Sequence, residues 1–207
     1  METVPNATTD VLLAGVGGQG TILAGKVLAR AAQLAGRDVK VSEVHGMAQR
    51  GGSVVTQVRF GSRVRSPLIA FADVLVAFEQ LEGLRWLPRL KAGATVILNR
   101  QTIYPLPVLT GAAAYPQGIP AKVRARGFRT VVVDGPVLAV EAGSTKTVNM
   151  VLVGALAAAL DLPEEAWTLA LEELVPTPYR EVNLKAFELG RVAGGAGGFL
   201  TAEGSLY

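Results

Sequence analysis

Short apolar runs recur along the chain, each followed by glycine or by a stretch in which apolar residues return every three or four positions. The first run, Val11 to Ala14, is too short for a helix and too continuous for a half-exposed strand, which predicts a central strand covered on both faces. Behind it Leu23, Val27, Ala31 and Leu34 form one apolar stripe at helical spacing that ends at Gly36. Strand, glycine turn and helix make a βα unit. Val39 to Val44 predicts a second strand, parallel to the first because a helix joins them. Ser53 to Phe60 is rich in branched residues and Gly61-Ser62 supplies a turn, so Val64 to Ile69 is predicted to return as the second arm of a hairpin, with Arg63 and Arg65 on one face that is solvated or meets a ligand.

Ala72 to Phe78 is a further apolar strand, EQLEGLRWL a short helix and Ala94 to Leu98 the next strand, a second parallel crossover. Four prolines and two glycines between Asn99 and Pro120 predict an irregular connection, then a short helix over Ala121 to Arg126 and a strand over Thr130 to Asp134, punctuated by Gly135-Pro136. From Thr147 the pattern turns helical. Val148 to Leu160 is apolar nearly all round, so it is either buried under other elements or pressed against another chain. Pro163, with Glu164 and Glu165 beside it, starts another helix that Pro176 and Pro178 close, and Glu181 to Leu189 forms the last. The predicted fold is α/β: a Rossmann-like three-layer domain with a mostly parallel sheet, a hairpin insertion and a C-terminal helical cap. Residues 1–191 make one domain, and 192–207 a glycine-rich flexible tail.

A chain of 207 residues buries about 70% of the surface it exposes when unfolded. Half of the residues are hydrophobic and only 18% charged, rich enough to point to apolar surface hidden by another subunit. The net charge of +3 is spread out, with no basic run interleaved with aromatics, which argues against nucleic acid. Cysteine is absent, so this chain offers no disulfide, thiolate zinc site, nucleophilic thiol or iron–sulfur ligand set. METVPNATTD lacks a basic segment followed by an apolar core, and Val148 to Leu160, interrupted by Asn149, falls short of a bilayer span of ~18–20 residues. A cytoplasmic protein with no membrane contact is expected.

Candidate chemistry gathers at two glycine-rich places. Gly15, Gly17 and Gly20 stand at G-x-G-x-x-G spacing, in which the first glycine allows the turn, the second a close approach and the third helix–strand packing. Amides at such a helix N-terminus favour anions such as phosphate, or the glycines only let the backbone pack tightly or touch a partner chain. Glu43, 23 positions past Gly20, stands about where a dinucleotide-binding domain carries the acid that holds the ribose. The second place is HGMAQRGGS, residues 45–53, with the only histidine, Gly46, Gly51 and Gly52, and Arg50. His45 either shuttles a proton or contacts a ligand, or it is a hydrogen-bonded structural residue, since no carboxylate or nucleophile accompanies it at recognisable spacing. Lys122, Arg126 and Arg129 share a face that is solvated or meets phosphates or an acidic partner.

Taken together, GVGGQG after the first strand, SEVHGMAQRGGSV at 42–54, SPLI at 66–69 and ADVLVAFEQLE at 72–82 resemble the gamma-type domain of the 2-oxoacid:ferredoxin oxidoreductases, in particular the small (beta) subunits of the indolepyruvate type. VNMVLVGAL at 148–156 and EVNLKAFELGR at 181–191 extend the resemblance from Asp10 to Arg191. It implies oxidative decarboxylation of an aryl 2-oxoacid to its acyl-CoA. Thiamine diphosphate attacks the keto carbon, CO2 leaves, iron–sulfur clusters pass electrons to ferredoxin, and coenzyme A takes the acyl group. It also implies a division of labour, with thiamine diphosphate, Mg2+ and the clusters on a large partner subunit and no activity for this chain alone. Neither cysteine nor a GDG sequence with a downstream asparagine pair is present here. The resemblance places Gly15, Gly17, Gly18, Gln19, Gly20, Glu43, His45, Gln49 and Arg50 in the family's loops, on the coenzyme A side of the site, and implies no catalytic residue and no metal ligand in this chain. Two other readings stand beside it: a stand-alone NAD(P)-binding reductase, and a non-catalytic scaffold.

Overall fold

The computed structural model describes residues 8–45 and 52–195. Six strands form one sheet in the order β2-β3-β1-β4-β5-β6: β1 Thr8–Val16, β2 Asp38–His45, β3 Ser53–Gly61, β4 Ala72–Ala77, β5 Leu90–Asn99 and β6 Arg129–Val133. β1, β4, β5 and β6 pair in parallel, while β3 runs antiparallel to both of its neighbours, β1 and β2. The helices are α1 Thr21–Leu34, α2 Gln80–Trp86, α3 Leu106–Leu109, α4 Ile119–Arg124, α5 Gly135–Ala142, α6 Val148–Ala157, α7 Glu164–Leu174 and α8 Arg180–Gly195.

β1 lies at the centre, as its uncharged run requires, and its side chains divide between two cores. Val11 and Leu13 face the layer of α1 and α5 to α8, with Trp167, Phe187 and Met150, whereas Leu12 and Ala14 face Leu87, Ile119 and Val123 on the opposite side. The layer of α1 and α5 to α8 contains the expected C-terminal helical cap. α6 is buried from Asn149 to Leu156 between the sheet and α8, which settles its all-round apolarity within this chain. No helix among the described residues is long and apolar enough to cross a membrane.

Four expectations need correction. β2 points the same way as β1 but is not its neighbour, because β3 is inserted between them in a register running from His45 opposite Val54 to Asp38 opposite Gly61. The hairpin is therefore β2–β3, not residues 53–60 with 64–69. β3 is buried along Val54 to Val58 and needs cover on both faces, which an outer hairpin arm would not have. Residues 62–71, with Pro67, form no strand; Val64 N–H donates instead to Asp38 Oδ2 at 2.7 Å and Ile69 N–H to Gln57 Oε1 at 2.9 Å. The third correction is α5. Its Pro136 sits in the first turn, where a missing N–H costs nothing, and Gly143 ends the helix. α8 also continues beyond Leu189 to Gly195, taking in the first residues assigned to the tail, and 196–207 lie outside the described residues.

Candidate functional site

The carboxyl ends of the parallel strands meet where the chain leaves β1. α1 crosses toward β2 on one side, and α2 leads from β4 toward β5 on the other, so the strand order diverges here and a crevice is expected. That crevice is filled by the protein itself. Gln19 folds back so that Oε1 accepts from Val16 N–H at 2.7 Å, while Nε2 donates to the Phe78 carbonyl at 3.0 Å and to Gln101 Oε1 at 3.1 Å. Asn99, fully buried, donates to the same Phe78 carbonyl at 2.9 Å and accepts from Gly135 N–H at 3.1 Å. This chain of amides stitches together the ends of β1, β4, β5 and β6.

The glycines take different roles from those their spacing predicts. Gly15, still in β1, is the close approach: a Cβ there would lie 2.9 Å from both Gln19 Oε1 and Phe78 Cβ. Gly18 and Gly20 supply the left-handed backbone, with φ of 98° and 80°, and Gly20 is the N-cap of α1. The glycine that lets helix pack on strand is Gly25, whose Cβ would meet Thr56 Cγ2 at 2.5 Å. Because the helix starts only at Thr21, the whole turn stands at its N-terminus.

On the β3 side of the turn a cleft of about 520 Å³ is lined by Gly17, Gly18, Gly20, Thr21, Ile22 and the β3 residues Val54 to Thr56. The N–H groups of Gly18, Gly20, Thr21 and Ile22 have no acceptor among the described residues, and no side chain caps the helix. The hydroxyls of Thr21 and Thr56, residues only 4% and 2% exposed, likewise have no hydrogen-bond partner among the described residues. Four amides and two hydroxyls thus converge on a space that the described residues leave open, and oxygen-rich anions suit that donor set. A neighbouring cleft of about 510 Å³ carries Ser144, Lys146 and Asn149; Asn149 Nδ2 would lie 2.6 Å from a Cβ at Gly20 and so walls the turn from behind.

Across the sheet end lies a smaller pocket of about 240 Å³ whose lining includes Val16, Gly52, Ser53, Glu79, Glu82 and Leu106. Both carboxylates are buried and fully engaged. Glu79 caps α2 through Glu82 N–H at 3.0 Å and accepts from Ile103 N–H at 3.1 Å and from the Tyr115 hydroxyl at 2.5 Å. Burial, reinforced by Glu79, holds the Tyr115 hydroxyl protonated far above the usual tyrosine range. Glu82 accepts from Ser53 Oγ at 2.5 Å and from Arg85 at 2.6 Å, which fixes the start of β3 to α2.

Of the residues singled out in the sequence, Gly15, Gly17, Gly18, Gln19 and Gly20 come together at this end of the sheet, Gln19 as a plug rather than as an open ligand group. Glu43 is exposed and pairs across from Thr56, two strands from β1 and about 10 Å from it. The inserted β3 thereby removes it from the position in which an acid would hold a ribose beside the turn. His45 ends β2, whereas Gln49 and Arg50 lie outside the described residues. Lys122, Arg126 and Arg129 are solvent-exposed. Sequence reasoning missed Asn99, Gln101, Thr21 and Thr56, which carry no motif. Glu79 and Glu82 had a visible signal, acids spaced for a helix start in EQLE. No three His, Cys, Asp or Glu residues cluster as metal ligands among the described residues.

The sequence profile of the family described as pyruvate ferredoxin/flavodoxin oxidoreductase matches residues 10–193. Indolepyruvate oxidoreductase subunit IorB of Thermococcus kodakarensis is 40% identical over 188 residues, which cover 87% of this chain and 93% of that one. The gamma subunit of a keto/oxoacid ferredoxin oxidoreductase from Geobacter sulfurreducens has a matching structure, with a TM-score of 0.73, 26% identity and coverage of 92% of this chain and 98% of its own. A 2-oxoglutarate:ferredoxin oxidoreductase from Magnetococcus marinus, solved with 2-oxoglutarate, coenzyme A and succinyl-CoA bound, gives a TM-score of 0.73 at 25% identity. That match covers 94% of this chain but 32% of the other.

Proposed function

The chain belongs to the pyruvate ferredoxin/flavodoxin oxidoreductase family, and on that premise we propose that it is the small, gamma-type subunit of an indolepyruvate-type 2-oxoacid:ferredoxin oxidoreductase. Its 40% identity to subunit IorB across 93% of that protein's length carries this reading. In the complete reaction a 2-oxoacid and coenzyme A give the acyl-CoA and CO2, and two electrons leave singly to two ferredoxins. This chain has no cysteine for an iron–sulfur cluster and no described acidic cluster for the metal of thiamine diphosphate, so its residues do not fit those groups, which fall to a larger partner.

Coenzyme A does fit. The unpaired amides of Gly18, Gly20, Thr21 and Ile22 and the hydroxyls of Thr21 and Thr56 can donate to phosphate oxygens in the 520 Å³ cleft, where the positive end of the α1 dipole favours the charge. Arg50, expected from the sequence to stand beside the turn, adds a guanidinium for the same group. Holding the phosphates there orients the thiol arm toward the partner, and a closed interface keeps water from the acyl group until the thiol arrives.

Anaerobic purification of the tagged chain from its native host tests the assignment. A large brown, thiamine-containing partner that turns over an aryl 2-oxoacid with coenzyme A and ferredoxin is the expected result. A colourless chain that arrives alone and binds NAD or NADP tightly overturns it. In the assembled enzyme, Thr21→Val removes one hydroxyl donor without changing shape and should raise KM for coenzyme A about tenfold, with KM for the 2-oxoacid unchanged. An unaltered KM for coenzyme A would mean that the turn only packs on its partner, as the scaffold reading has it.

A further inference from the structure

The segment from Gln101 to Ala121 contains no charged residue, although it stands out from the sheet end as a surface lobe. At its tip α3 is a helical turn of four residues, LPVL, none of them buried. Leu106 is 71% exposed, Leu109 67% and Tyr104 53%, and Ala112 to Ala114 extend the apolar surface. Nothing among the described residues covers these side chains. The lobe is nonetheless firmly held: Tyr104 packs edge-on against Tyr115 with ring centroids 5.3 Å apart, Tyr115 is bonded to Glu79, and Ile103 N–H is bonded to the same carboxylate. A pre-ordered cluster of large apolar side chains without charges is what a protein–protein contact requires at its centre.

From this lobe we infer a docking surface for the large, thiamine-bearing subunit, an inference that rests on the function proposed above. Two observations select that occupant over a second copy of the chain. The lobe is continuous with the ligand end of the sheet, since Pro105, Leu106 and Pro107 wall the same small pocket as Val16 and Gly52, at either side of the glycine turn. In the Magnetococcus enzyme the matching domain accounts for only 32% of its chain, so there it works joined to further protein. The carboxylates of the pocket beside Leu106, Glu79 and Glu82, are both engaged within this chain, so the lobe offers a partner no charge of its own. The complementary surface is therefore apolar.

The test is to co-express the chain with the large subunit and compare Leu106→Ser/Leu109→Ser with Val137→Ser/Val140→Ser, which alters another exposed apolar face, on α5. All of these side chains are exposed, and equal melting temperatures verify that each variant folds. The lobe variant should bind the large subunit at least about a hundredfold more weakly, or fail to co-elute, with the α5 variant unaffected. An intact complex with the lobe variant overturns the inference, as does equal weakening by both variants. So does an isolated wild-type dimer that the lobe variant converts to monomer while the large subunit still binds. Failure of the wild-type chain to join the large subunit overturns the functional reading first, and the docking surface with it.

Discussion

Gln19 and Asn99 donate their side-chain amides to one acceptor, the carbonyl of Phe78, at 3.0 and 2.9 Å. Eighty positions apart in sequence, they occupy the place where a dinucleotide would cross between β1 and β4, and this is why a glycine motif of familiar spacing serves a different cleft.

Replacing Gln19 separates the two parts of that arrangement. Gln19→Ala leaves Val16 N–H without its acceptor and should cost about 1–3 kcal/mol. Gln19→Glu keeps the acceptor for Val16 but points a carboxylate oxygen at Phe78 O and Gln101 Oε1, both acceptors. A carboxyl in that position gains by holding its proton. Its pKa therefore rises on folding, and the variant should be most stable below the unfolded glutamate value of about 4.3 and lose stability as pH rises above it. Melting curves from pH 4 to 7 check this, and an unchanged profile would mean that Gln19 makes no use of its amide.

Gly190 and Gly154 let α8 and α6 touch backbone to backbone. A Cβ on Gly190 would run into the Val151 carbonyl and one on Gly154 into the Phe187 carbonyl, and neither obstacle is a flexible side chain. Gly190→Ala must push the helices apart, at a cost of about 3 kcal/mol or more. At roughly 2–4 °C per kcal/mol for a chain of this size, the melting temperature should fall by at least about 6 °C. Gly195→Ala, at the end of the same helix with open space around it, should leave the melting temperature nearly unchanged.

Much of this architecture is legible in the chain. The uncharged run of β1, the stripe of α1 and the crossover from β4 to β5 follow from local pattern, and the all-round apolarity of α6 announces its burial. What is not legible depends on pairing across long sequence distances. β3 reads equally well as half of an outer hairpin, and only the sheet order shows that it separates β2 from β1 and displaces Glu43. The site divides in the same way. Gly18 and Gly20 stand in a recognisable motif, but Thr56 enters from the inserted strand, and the plug depends on Asn99 and Gln101, one crossover away.

Asp10 makes stability at the opposite end of the sheet depend on pH. Burial raises its carboxyl above the ordinary 3.8, while Arg59 and Lys91 pull against that shift. Arg59 Nε lies 2.7 Å from Oδ1 but outside hydrogen-bonding geometry, so the contact is an ion pair that leaves the oxygen unbonded. With the folded value raised, the contribution is fully present below the unfolded value and is lost as pH rises through the folded one. Asp10→Asn removes this titration and keeps the shape. The melting temperature of the wild type relative to Asp10→Asn should therefore fall as pH climbs from 3 through the range above 3.8, and a flat difference would show that the ion pairs cancel the burial.

The bond between Tyr115 and Glu79 links the sheet end to the exposed lobe, and its loss should be felt in both. The tyrosine hydroxyl is one of three donors to a buried carboxylate, the others being Glu82 N–H and Ile103 N–H. Tyr115→Phe retains the ring against Tyr104 but leaves Glu79 with two donors. A hydrogen bond to a charged group is worth about 1.5–3 kcal/mol, so the melting temperature should drop correspondingly. The alkaline limb supplies a second readout with a definite sign. Because folding raises the pKa of Tyr115, its contribution is complete below the unfolded value near 10 and declines as pH rises beyond it. Wild-type protein should therefore lose stability more steeply than Tyr115→Phe between pH 9 and 11. If Tyr115→Phe matched the wild type on both limbs, the tyrosine hydroxyl would contribute nothing, and the lobe would be held by ring packing and by the bond from Ile103 N–H to Glu79.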